Sequence, residues 1–147
     1  DHDVALLEIG GAALPALQLA ESGTVREGEE IAFTGYPIGP VLGLYPATHR
    51  GIVSAVTPIV IPAMSSRTLT AEQVRRIRSP FDVYQLDATA YPGNSGSPVY
   101  NVRTGRVVGV INSVLVKKTK EAALTDPSGI TYAIPVRYVR ALLAGSG

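Results

Sequence analysis

The chain is 147 residues long, 46% hydrophobic and 17% charged, with a formal net charge of +1 at neutral pH. That length and apolar content can bury a sizeable single core and exclude compositional disorder, while a charge so near zero gives no electrostatic case for nucleic acid or a membrane surface as main partner. The lack of cysteine excludes disulfide staples, thiolate metal sites and cysteine-based catalysis, and histidines only at positions 2 and 49 leave no ligand cluster for a structural zinc.

Taken in chain order, residues 4–9 predict a first strand, and residues 30–36 and 48–56 predict two more, separated by the turn cluster Tyr36-Pro37-Ile38-Gly39-Pro40. Thr70-Ala71-Glu72-Gln73 then matches a capping box. The Thr70 hydroxyl and Gln73 side chain would satisfy amides at a helix start, and Ser79-Pro80 would end that short helix. Its Arg75, Arg76 and Arg78, with Arg67 nearby, read first as a solvated face and second as a contact for an acidic partner. Further strands are expected at 83–87, 98–100, 106–116 and 130–134. Pro135 is placed to open a closing helix whose Val136, Val139, Leu142 and Leu143 form one apolar stripe, expected to pack on the core. Gly145-Ser146-Gly147 has tail or linker composition. No internal repeat is visible, and no apolar run reaches the roughly 20 residues that span a bilayer. Many short strands with Gly and Pro turns point to an all-β fold, a closed or nearly closed antiparallel barrel that hides its strand edges.

The stretch Tyr91-Pro92-Gly93-Asn94-Ser95-Gly96-Ser97-Pro98 carries the most chemical information. Gly93 and Gly96 permit backbone angles closed to other residues, and Pro92 and Pro98 stiffen both flanks, so the turn is built to hold a shape. A serine hydroxyl becomes a nucleophile only when a base takes its proton and fixed donors receive the oxyanion. Successive amides at Gly93, Asn94 and Ser95 can form such an anion-binding nest beside the hydroxyl. By composition alone, an ordinary hairpin loop explains the same octapeptide equally well.

Order and context separate the two. Gly93-Asn94-Ser95-Gly96-Ser97-Pro98, preceded by Gln85-Leu86-Asp87-Ala88-Thr89-Ala90-Tyr91-Pro92, resembles the nucleophile loop of trypsin-fold serine proteases, most closely the HtrA/Deg-like branch. Gly51-Ile52-Val53-Ser54-Ala55-Val56 is similar to that branch's Gly-Ile-Val-Ser strand, and Gly109-Val110-Ile111-Asn112-Ser113 to the strand after the nucleophile. Gly129-Ile130-Thr131-Tyr132-Ala133-Ile134-Pro135 resembles the approach to the closing helix, and Asp3-Val4-Ala5-Leu6-Leu7-Glu8-Ile9 the segment with the triad aspartate. The matches run in the family's order from residue 3 to residue 140. An unrelated β-barrel binding module would need that order to arise by chance.

The resemblance implies a trypsin-like antiparallel β-barrel, the second barrel of a two-barrel protease, with a short inserted helix and a C-terminal helix. Residues 1–22 would be the last strand of the first barrel and the linker, and residues 23–147 the C-terminal barrel. Ser95 becomes the nucleophile, Asp3 the acid that orients a histidine, and Gly93, Asn94 and Ser95 the oxyanion hole. The bland alternative for Asp3 is a solvated residue near a chain end. Thr89, Ala90, Asn112, Ser113, Val114 and Thr131 would neighbour a substrate side chain. With no acidic group among them, the implied preference is for small or medium apolar side chains of a polypeptide substrate. The lysine-rich segment from Val116 to Asp126-Pro127 reads equally as a specificity loop beside that cleft or as a solvated loop.

Two positions depart from common patterns. Asn94 stands where digestive trypsins carry an aspartate that pairs with a newly cut N-terminus, and an amide cannot make that ion pair. Ser97 stands where the family more often has glycine. The general base in the family is a histidine well N-terminal to the aspartate, so its segment is expected outside these 147 residues, and the chain is expected to be the C-terminal portion of a larger protease, inactive alone. His2 adjoins the aspartate it would have to face, and on an extended chain neighbouring residues point to opposite sides. His49 reads as a surface strand residue. A non-catalytic, protease-like interaction domain is the alternative, since Val4, Leu6, Leu7 and Ile9 would lack their proper neighbours. No cofactor or metal is implied, and family habit favours an extracytoplasmic setting.

Overall fold

A computed structural model of the chain describes residues 2–23, 25–38, 43–58, 81–112 and 130–145. Six strands, β1 (Glu30–Gly35), β2 (Ala47–Pro58), β3 (Asp82–Asp87), β4 (Pro98–Asn101), β5 (Val107–Ile111) and β6 (Ile130–Pro135), precede one helix, α1 (Val136–Ala144). The strands close into a barrel in the order β1-β2-β3-β6-β5-β4, with every neighbouring pair antiparallel. Closure comes from β1 pairing with β4 through Ile31↔Asn101, Ala32↔Tyr100 and Phe33↔Val99. A closed ladder leaves no open edge, which suits strands this short.

Alternation along the strands decides the core. Ile31 and Phe33 of β1, Val53 of β2, Leu86 of β3, Val99 of β4, Ile111 of β5 and Ala133 of β6 point inward and are buried. Withdrawing each of the larger of these from water contributes about 1.5–3 kcal/mol. A register shift between Val53 and Ala55 bends β2 around the barrel.

These six strands and the closing helix fall where the sequence places them. The expected strand at 106–116 ends as a ladder at Ile111, and residues 113–116 lie outside the described residues. So do the capping box at Thr70, Arg67, Arg75, Arg76, Arg78 and the lysine-rich segment.

Three expectations need correction. Residues 4–9 form no strand; Leu6, Leu7 and Ile9 are 51%, 80% and 71% exposed. A β pattern becomes a strand only against a hydrogen-bonding neighbour, and none among the described strands lies beside it. Backbone pairing with a barrel strand comes further on, where Leu19 bridges Val107 in parallel and the Ala20 N–H donates to the Val107 carbonyl at 2.8 Å. His49 is not a surface residue: β2 alternates, Val53 faces inward, and position 49 shares that face, so its ring lies half-buried against Phe33. The α1 stripe is not all core. Val136 is buried, but Val139 and Leu142 are half-buried and Leu143 is exposed, and these three line a cleft.

Candidate active site

Two consecutive turns shape the nucleophile loop. The Asn94 N–H donates to the Tyr91 carbonyl at 3.0 Å, closing a turn with Pro92 and Gly93 at its centre, and Gly93 has φ +100°. Proline at the first central position and a positive-φ glycine at the second are what a type II turn requires. The Ser97 N–H then donates to the Asn94 carbonyl at 3.0 Å, closing a second turn over Ser95 and Gly96, where Gly96 has φ +86°. Ser95 is thus the first central residue of the second turn, and it is exposed.

The loop is fastened from two sides. The Gly96 N–H donates to the Ile111 carbonyl and the Ile111 N–H to the Ser97 carbonyl, both at 2.9 Å, which ties the turn to β5. On the other side the Ile38 N–H donates to the Pro92 carbonyl at 2.7 Å, and a Cβ at Gly93 would collide with the Tyr36 carbonyl oxygen. The serine at position 97 is accommodated: it is buried, with its Oγ against Gly35.

Of the three amides assigned from sequence to an oxyanion hole, that of Asn94 is committed to the Tyr91 carbonyl. It is therefore not a donor to substrate in this conformation, because a type II turn consumes the N–H of its fourth residue. Gly93 and Ser95 flank it.

Ser95 opens on a cleft of about 560 Å³ whose walls include Asp3, Leu6, Asn112, Val139 and Leu142. Asp3 sits in the left-handed region at φ +57°, a conformation that aspartate tolerates better than most residues, and the buried Asn112 donates from Nδ2 to its Oδ2 at 2.7 Å. This places the sequence-assigned acid and nucleophile on one cleft, with Asn112 fixing the acid. Sequence comparison assigned Asn112 to substrate, and its contact with Asp3 had no local signal, since the two lie 109 positions apart.

Thr131 also has work other than facing a substrate. It is buried, its hydroxyl donates to the Ala88 carbonyl and it accepts the Ala90 N–H at 3.1 Å, pinning the strand leading into the loop to β6. Thr89 and Ala90 are half-buried beside it, while Ser113 and Val114 lie outside the described residues.

Both histidines are engaged in aromatic stacks. His2 stacks on Tyr138 with centroids 4.1 Å apart and meets Phe81 edge-on at 5.0 Å. Burial lowers its pKa below 6.5, and neighbouring positive charge, that of Arg137 included, acts in the same direction. His49 stacks on Phe33 at 5.0 Å. Among the described residues no cluster of His, Asp and Glu suits a metal ion.

A closed six-stranded antiparallel barrel that presents a serine from paired glycine turns, in a cleft shared with an aspartate, defines the class of trypsin-fold serine peptidases. A family model described as the trypsin-like peptidase domain matches residues 1–110, and the chain belongs to that family. Within it the likeness is to the HtrA type. The chain is 32% identical over 138 residues to a probable periplasmic serine endoprotease, DegP-like, of Pseudomonas putida, which covers 91% of this chain and 23% of that protein. It is 32% identical over 142 residues to the mitochondrial serine protease HTRA2 of Drosophila persimilis, covering 96% of this chain and 27% of that protein. Among solved structures, the HtrA-type protease AlgW with a tripeptide superposes with a TM-score of 0.63 at 25% identity, covering 93% of this chain and 37% of the other. The chain thus spans about a quarter of the length of the curated relatives it matches.

Proposed function

We propose that these residues form the nucleophile-bearing part of a serine endopeptidase site that cleaves polypeptides by acyl transfer. Ser95 attacks the substrate carbonyl, a histidine outside these 147 residues takes its proton, Asp3 orients that histidine, and the amides of Gly93 and Ser95 receive the oxyanion. The observation that carries this reading is the position of Ser95 at the centre of the second of two consecutive turns, on the same cleft as an Asp3 held by Asn112. Residues 1–22 then belong to a first barrel and linker, and 23–147 to the second barrel. The exposed Leu6, Leu7, Ile9, Leu14 and Leu17 support that division, because a neighbouring folded unit would cover them. Alone, the chain lacks its base and turns over little substrate. The periplasmic relative of Pseudomonas putida supports an extracytoplasmic setting, periplasmic or secreted, whereas the relative of Drosophila persimilis is mitochondrial.

The test is labelling with a fluorophosphonate probe and turnover of matched apolar and basic peptides, on full-length protein and on its Ser95→Ala variant. Rapid labelling at Ser95, faster cleavage after small apolar residues and loss of both in the variant are expected. Undiminished turnover by Ser95→Ala would overturn the assignment. An intact full-length protein that neither labels nor cleaves would instead be a non-catalytic interaction domain, which the exposed leucines also fit.

A further inference from the structure

Three buried side-chain polar atoms have no hydrogen-bond partner among the described residues: Nε2 of His49 on β2, and both Oδ1 and Nδ2 of Asn94 in the nucleophile loop. Buried polar groups are overwhelmingly paired, with protein or with ordered water, so three orphans at one end of a barrel call for a physical account. Asn94 is wholly buried, and its side chain fits because position 35 is glycine: a Cβ there would lie 2.7 Å from Asn94 Oδ1 and would collide with Ser97 Oγ.

His49 reaches the same floor from the neighbouring strand. The register Phe33↔His49 and Gly35↔Ala47 sets His49 diagonally across from Gly35 on the inward face. Its ring stacks on Phe33 and stands 5.9 Å from the ring of Tyr91, the residue whose carbonyl receives the Asn94 N–H. An imidazole nitrogen and a primary amide are complementary, since the amide offers a donor and an acceptor at once and the ring nitrogen suits either. One buried water with those three partners would meet the ordinary requirement of such a site. A carboxylate at position 94 would instead be a buried charge in need of a cation, so the neutral amide suits a neutral partner.

We propose that His49 and Asn94 form one hydrogen-bonded unit, joined through a buried water, that sets the height and tilt of the turn carrying Ser95. His49 is then a positioning residue acting on the nucleophile through Asn94. This rests on the serine endopeptidase reading above, and the experiment separates the two.

In full-length protein, His49→Phe keeps the ring stack on Phe33 and removes the nitrogen, while His49→Gln restores a polar end. His49→Phe is expected to lower kcat and the rate of Ser95 labelling about tenfold with KM unchanged, as misplacement of a reacting group does. His49→Gln should recover most of that loss, which a purely structural role would not produce. The proposal is overturned if His49→Phe turns over and labels like the parent, or if His49→Gln is equally impaired. Should His49→Phe fail to fold, the side-chain amide protons of Asn94 decide: slow exchange and a shift on His49→Gln support the unit, and fast exchange refutes it. A protein that retains turnover as Ser95→Ala defeats the peptidase reading itself and is recognised by that.

Discussion

Asn112 joins the candidate acid to the barrel by one hydrogen bond, from a buried amide to an exposed carboxylate. Its removal should disorder Asp3 more than it unsettles the core. Asn112→Ala in full-length protein is expected to reduce kcat about tenfold, the scale of one lost hydrogen bond to a charged group, with KM little changed. Asn112→Asp should fall further, because it puts a second negative charge against Asp3. Steady-state kinetics of both variants checks this, and a variant pair with parental kcat would remove Asn112 from the site. At this scale the sequence is uneven. Ser95 was legible because glycines and prolines at fixed offsets announce a built turn. The orienting contact of Asn112 was not, because side chains this far apart in sequence meet only after the barrel closes.

The nucleophile loop is the element where local rules and tertiary packing meet. Gly93 and Gly96 both have positive φ, but only at Gly93 would a side chain also strike backbone, that of Tyr36. Gly96→Ala should therefore destabilise the fold by about 1 kcal/mol, the conformational term alone, and Gly93→Ala by about 3 kcal/mol or more. Denaturant unfolding compares them, and equal losses would contradict the packing argument. The segment 4–9 shows the converse. Its residues favour a strand, yet a strand is completed by its neighbour, and Leu6 and Leu7 instead line one wall of the cleft. The α1 stripe was likewise readable as a stripe, but which part faces core and which faces the cleft was decided by where Pro135 delivers the helix.

Across the whole molecule, an aromatic and charged cluster pins the N-terminal segment to the junction of β3 and α1. His2 lies on Tyr138, the Tyr138 hydroxyl accepts from the Asp82 N–H and from Arg137 at 3.1 Å each, and Arg137 pairs with Asp82 at 2.6 Å. Because burial lowers the His2 pKa, the docked state binds its proton less readily than the undocked state. Docking is therefore at full strength above the ordinary value of 6.5 and weakens as pH falls through it. An NMR titration should give His2 a midpoint below 6.5, and hydrogen exchange should show residues 3–7 loosening as pH drops from about 7 to about 5. A midpoint at or above 6.5 would dissolve the link between His2 and the placement of Asp3.

The sequence by itself determined the all-β class, nearly every strand, the closing helix and the serine that heads the turn, because period-two alternation, proline and glycine act over a few residues. Tertiary structure alone decided which face of β2 points inward, and so that the His49 ring is half-buried against Phe33. It also decided that Asn112 holds Asp3, that Thr131 braces the loop, and that the Asn94 amide is spent within its own turn. Those outcomes depend on strand register and on contacts between distant segments, and neither exists until the barrel has closed.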